Sequence, residues 1–180
     1  RTGAMFACNR ADVTPDIMCV AKGLTGGSIP LAATLCTHAI YKAHYSSDRS
    51  KTFFHSSSYT ANPIACAAAA ANVEIWKTGT TEPRISTLTE AHASLLSELE
   101  RDARFTNARQ IGTIAAIDLA VADAGYLANV GLTMRKAFVE RGVLLRPLGN
   151  TIYIMPPYCI EETELADVYA AITAVAREVL

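Results

Sequence analysis

The chain has 180 residues, enough for one core or for parts of two domains. Its 16 basic and 17 acidic residues leave a net charge of -1 without a basic run, which argues against nucleic acid or an anionic membrane as the main partner. Apolar residues make up 51% and charged residues 18%, a balance that expects cover for part of the surface from further sequence or a second subunit.

No apolar stretch has the length of a membrane span; Ala65 to Val73 is too short and alanine-rich. No segment reads as a signal peptide. The five cysteines (Cys8, Cys19, Cys36, Cys66 and Cys159) are odd in number and lack metal-site spacing. They read as buried free thiols of a reducing compartment, here the cytoplasm. The chain opens Arg1-Thr2-Gly3-Ala4-Met5-Phe6, without an initiator methionine and inside a motif, and reads as a fragment.

In chain order, Asp16 to Ala21 predicts a buried strand and Pro30 to Thr37 a second. Thr37 caps a short helix over His38 to Tyr45, and a polar loop follows. Asn62-Pro63 opens a helix with Asn as N-cap and Pro at the first helical position; it runs through Trp76 and stops at Gly79. Glu82 to Arg104 predicts a longer helix with Ile85, Leu88, Ala91, Leu95 and Leu99 at helical spacing. Ile111 to Ala120 reads as a strand, and Asn129 to Arg141 as a helix ended by Gly142. Val143 to Arg146 and Thr151 to Met155 predict two strands of a hairpin turning at Pro147 to Asn150. Glu161-Glu162-Thr163 opens a final amphipathic helix to Leu180. The boundary falls between residues 1–80 and an α+β domain at 81–180.

The most informative run is Asp16 to Gly27, where an apolar strand ends in Lys22 and a glycine-rich turn follows. A lysine there is costly to desolvate unless it has a task. Desolvation favours the neutral amine, which attacks carbonyls. Glycines let a planar ligand approach the backbone. These are the needs of a Schiff-base lysine holding pyridoxal phosphate; the alternative is a strand-end lysine with its head in water. Ser56, Ser57 and Ser58 lie just before the helix start at Asn62, where hydroxyls and free amides offer an anion site or a capping loop. Arg146 sits within an apolar strand, where a guanidinium must be paired, either to a substrate carboxylate or to an acidic neighbour. Tyr153, across the hairpin, joins that pocket or is a core aromatic with a wet tip. His44 and His55 read as structural.

The motifs RTGAMFAC, PDIMCVAKGLTGG, PLAAT, FFHSSSYTANPIACAAA and GVLLRPLGNTIYIMPPY occur in this order along the chain. Together they resemble the class III aminotransferases of pyridoxal-phosphate (PLP) fold type I, most closely the branch acting in biotin synthesis. The resemblance implies a truncated α/β fold: the C-terminal part of the large PLP-binding domain over 1–80 and the small C-terminal α+β domain over 81–180. It implies pyridoxal 5'-phosphate as cofactor, with Lys22 as the catalytic, cofactor-bound lysine. Ser57 and Ser58 would bind the cofactor phosphate of the neighbouring subunit in a homodimer with shared active sites. Ser58 stands where the family usually has threonine, which keeps the hydroxyl. Ser56 would lie at the substrate entrance, Arg146 would bind the substrate carboxylate, and Tyr153 would line that pocket. The implied reaction takes an amino group from S-adenosylmethionine and gives it to 8-amino-7-oxononanoate. No metal, nucleic acid or membrane is implied. The family's acidic partner for the pyridine nitrogen is expected upstream of Arg1, so the isolated chain is expected to be inactive. The alternatives are a class III ω-amine aminotransferase and a non-catalytic fragment that associates with other chains.

Overall fold

A computed structural model describes all of residues 1–180, and they form two units. One comprises Ala11–Thr81; the other joins Arg1–Arg10 to Glu82–Leu180. The two units part between Thr81 and Glu82, and the first ten residues group with the later unit. The carbonyl of Arg1 accepts from Thr113 N at 2.9 Å, and its guanidinium lies 4.7 Å over the Tyr158 ring. The short helix α1 (Ala7–Ala11) closes this opening segment.

The unit Ala11–Thr81 contains β1 (Ile17–Val20), a 3-10 turn (Lys22–Thr25), β2 (Ala33–Cys36), α2 (His38–His44) and α3 (Pro63–Lys77). Strands β1 and β2 pair antiparallel, Ile17 opposite Cys36 and Val20 opposite Ala33. Burial of β1 does not hold: Ile17 is 56% exposed, and β2 is exposed throughout. A two-stranded ribbon cannot bury its own faces, and only Thr25 and Ala65 of this unit are buried. Phe53, Phe54, Tyr59 and Ile64 also stand exposed. The buried thiols are corrected likewise, since Cys19, Cys36, Cys66 and Cys159 are exposed and Cys8 is half-buried. Helix α3 starts as the sequence predicts. Asn62 Oδ1 accepts from the N–H groups of Ile64 (3.0 Å) and Ala65 (3.3 Å), with Pro63 in the first turn.

The later unit holds α4 (Thr81–Glu100), β3 (Phe105–Ile111), β4 (Ile114–Leu119), α5 (Val130–Glu140), β5 (Thr151–Ile154) and α6 (Glu162–Val179). Its antiparallel sheet has the order β3-β4-β5. Ala115, Ile117 and Leu119 alternate with half-buried residues along β4 and, with Ile152 and Ile154, form the inner face. Met134 and Phe138 of α5, Leu88 and Leu99 of α4, and Leu165 and Ile172 of α6 join the same core. Helix α6 begins with a reciprocal cap between Glu161 and Glu164.

One strand goes unmarked in the sequence and one expectation fails. Strand β3 carries no clear signal, because Thr106, Asn107, Arg109 and Gln110 give it the polar aspect of an edge strand. Residues Val143–Arg146 form no strand; only Leu148 bridges to Thr151, around the turn Gly149-Asn150. Gly149 is required there, with φ of 60° and the Gly125 carbonyl oxygen 1.8 Å from where a Cβ would stand.

The helical stripe of α4 includes a residue its periodicity did not mark. His92 is fully buried, and its Nδ1 lies 2.8 Å from the hydroxyl of Tyr169 on α6. Its Nε2 is buried without a partner. Burial pushes the imidazole down to about 4 and the Tyr169 phenol up. The unfolded chain therefore takes up a proton at His92 between pH about 6.5 and 4, where the native chain does not. Stability is full above that window and falls as the pH drops through it, by up to about 3 kcal/mol. His92→Phe keeps the ring and removes the titration. Urea unfolding at pH 7 and pH 4.5 is expected to show a smaller acid loss in this variant than in the parent; equal losses would contradict the assignment.

Candidate functional site

Lys22 follows Ala21 at the end of β1 and begins the 3-10 turn. Its φ is 46°, in the left-handed region that an L-residue enters at a cost of roughly 1–2 kcal/mol. The turn is closed by Gly26 N donating to Gly23 O and Gly27 N to Lys22 O, both at 3.1 Å. Gly26 and Gly27 themselves have φ of 63° and 84°. The buried Thr25 donates its hydroxyl to Ile29 O at 2.6 Å. The Lys22 side chain is exposed, which corrects the expected desolvation. Its ammonium takes no part in the ion pairs of the chain. An amine that is unpaired and held at a strained, glycine-bordered position fits covalent attachment to a carbonyl.

Ser56, Ser57 and Ser58 are exposed in an extended segment that turns at Ser58. Ser57 Oγ accepts from Tyr59 N at 3.3 Å, which leaves its own proton free to donate. Asn62 takes two of the free amides of α3, which leaves fewer of them open to an anion at this helix start. Three hydroxyl donors suit a phosphate ester. His44 and His55 are accounted for locally: His44 Nδ1 lies 2.9 Å from Lys51 O, and His55 stacks on Phe53.

In the other unit, Arg146 lines an open groove of about 270 Å³ together with Arg135, Asn129, Tyr126, Gly131 and Gly149. The Arg146 side chain is exposed and lies in irregular backbone, which corrects its expected burial in a strand. None of the ion pairs of this chain involves Arg146. Tyr153 is half-buried on β5 opposite Ala116 and is not among the residues lining the groove.

Residues that sequence reasoning passed over fix these segments. Asn150 is buried in the turn after Arg146; its Oδ1 accepts from Gly125 N at 2.8 Å and its Nδ2 donates to Leu119 O at 2.9 Å. Asn72 of α3 hydrogen-bonds to the Lys22 turn. The one signal in the sequence was an amide placed directly after the run Ala67–Ala71. Arg135 gave no signal, because a shared groove is a property of the folded backbone.

The family model described as aminotransferase class-III matches residues 1–176. The chain is 47% identical over 179 residues to an adenosylmethionine-8-amino-7-oxononanoate aminotransferase of Synechococcus elongatus, covering 99% of this chain and 42% of that protein. A protein of the same name from Geobacter sulfurreducens is 42% identical over 176 residues, with 92% and 38% covered. Among solved structures, the adenosylmethionine-8-amino-7-oxononanoate aminotransferase of Methanocaldococcus jannaschii superposes with a TM-score of 0.88 at 32% identity, covering 98% of this chain and 43% of that one. An (S)-enantioselective omega-transaminase from Thermomicrobium roseum also reaches a TM-score of 0.88, at 26% identity, with 100% and 41% covered. The chain thus spans about two-fifths of the length of the relatives it matches.

Proposed function

Because this chain belongs to the class III aminotransferase family, whose cofactor is pyridoxal 5'-phosphate, we propose that the protein carrying it transfers an amino group from S-adenosylmethionine to 8-amino-7-oxononanoate. The product is 7,8-diaminononanoate. The observation that carries this reading is the Lys22 turn, with an unpaired amine at φ 46° bordered by two left-handed glycines. The substrates follow the names of the similar proteins from Synechococcus elongatus and Geobacter sulfurreducens. In this reading residues 1–80 complete a large cofactor domain and residues 81–180 form the small C-terminal domain. The setting is the cytoplasm.

The cofactor supplies an aldehyde for an amine and an electron sink for charge at the neighbouring carbon. Lys22 would hold it covalently, and its amine is the group that would carry a proton to and from the substrate carbon. Ser57 and Ser58 donate hydroxyls to the phosphate, with Ser56 beside them. These serines serve the neighbouring subunit of a homodimer, a role supported by their exposure beside the uncovered Phe53, Phe54 and Tyr59. Arg146 meets the substrate carboxylate with its planar fork; Tyr153, half-buried on β5, lies outside the groove that Arg146 lines and takes no part in that contact.

The equal TM-score of 0.88 with the omega-transaminase favours a second reading, an ω-amine donor. Incubating the natural protein and cofactor with 8-amino-7-oxononanoate and either S-adenosylmethionine or a simple ω-amine separates them. Formation of 7,8-diaminononanoate, followed by mass spectrometry, is expected with S-adenosylmethionine. Turnover with the ω-amine alone would move the protein to the second reading, and no turnover with either would leave a non-catalytic associate.

A further inference from the structure

The geometry points to Asn72 as a positioning residue that latches the turn bearing Lys22 and so sets the direction in which the amine leaves the backbone. This inference rests on the proposed role of Lys22. Asn72 lies far along the sequence, on α3, yet its Nδ2 donates to Gly23 O at 2.8 Å and to Leu24 O at 3.2 Å. Both carbonyls belong to the turn that Lys22 begins. The turn's remaining hydrogen bonds are local, running among residues 21–29. Asn72 therefore supplies its one side-chain anchor from a separate element.

An anchor is needed for two reasons. A 3-10 segment has poorer hydrogen-bond geometry than an α-helix and loosens readily. Lys22 at φ 46° would relax out of the left-handed region unless its surroundings hold it there. Asn72 ties the turn to a long helix whose own start is capped by Asn62, so the lysine is referenced to a rigid element. Gly26 answers the same contact from the other side. A Cβ on Gly26 would stand 3.3 Å from Asn72 Oδ1, and its φ of 63° disfavours a side chain as well. Asparagine is a poor interior residue for a helix, because its amide competes for backbone groups; here the amide is occupied by the turn's carbonyls.

The test compares Asn72→Leu, Asn72→Asp and Asn72→Gln with the parent in the natural protein, using pyridoxal 5'-phosphate as the probe. Cofactor trapped by borohydride is located by peptide mass spectrometry, and the trapping rate at Lys22 is followed against pH. Leu keeps the volume without a donor; Asp keeps the shape and turns an oxygen toward two carbonyls; Gln keeps the amide. Trapping at Lys22 is expected to slow by about tenfold or more in Leu and Asp, as a misplaced reacting group does, and to stay within about threefold of the parent in Gln. In turnover, kcat should fall while the KM for the amino acceptor holds. Parent-like trapping in a Leu variant that melts like the parent would overturn the latch, and so would equal losses in all three variants. If the Leu variant does not melt cooperatively, the near-isosteric Asp variant decides by the same readout. Parent label on another lysine would overturn the role of Lys22, and the latch with it. Parent label on Lys22 with unchanged variants would overturn the latch alone.

Discussion

Lys22→Ala is expected to abolish covalent trapping of pyridoxal 5'-phosphate and to reduce transamination by at least ~10²–10⁴-fold, the usual worth of a positioned proton-transfer group. The loss of the attachment point adds to that. Fold loss is not expected, because the Lys22 side chain is exposed and makes no ion pair. Relief of a left-handed lysine offers nothing to the variant, since alanine is strained at the same φ. Borohydride reduction and peptide mapping of the parent should place the cofactor on Lys22. Label on Lys42, Lys51, Lys77 or Lys136, with turnover retained in Lys22→Ala, would refute the assignment.

Arg146→Ala should raise the KM for the carboxylate-bearing amino acceptor while leaving cofactor binding nearly unchanged. A hydrogen bond to a charged group contributes about 1.5–3 kcal/mol, equivalent to roughly tenfold or more in KM. Arg146 is free to meet such a carboxylate because none of the chain's acidic side chains claims it. Arg146→Lys should recover part of the loss, since a point charge replaces a planar fork. An increase below about threefold in the alanine variant, under ~1 kcal/mol, would make Arg146 a surface cation of the groove it shares with Arg135. Parallel titration of cofactor binding by absorbance separates a lost substrate contact from a distorted protein.

The helices were legible where their local chemistry is self-contained. Asn62-Pro63 marks the start of α3 because a cap and a fixed φ act within one turn. Glu161 and Glu164 close α6 by the same short-range logic. The strands were less legible. Strand β3 has a polar aspect and a bulge between Thr106 and Arg109, so its alternation is blurred until β4 pairs with it. The apolar run Val143–Leu145 reads as a strand, but it makes no ladder and leaves Leu144 87% exposed. Apolar character says that cover is needed and does not say by what.

Lys22, the hydroxyls of Ser56 to Ser58, and Arg146 carry chemistry that belongs to the residue types themselves, so the amino-acid order was enough to nominate them. Their surroundings depend on partners distant in sequence. Burial failed as an expectation for Lys22 and Arg146, because desolvation depends on which elements stack over a position, and no local pattern encodes that. The depressed His92 came from burial, in a core that also brings Tyr169, 77 residues later, against its ring. The tie between Asn72 and Gly23 spans 49 residues, and the close approach of Gly149 to Gly125 joins two loops. Capping, turn formation and charge act over a few residues and can be read along the chain; hydrogen-bond partnership and burial between remote segments exist only once the backbone has closed on itself.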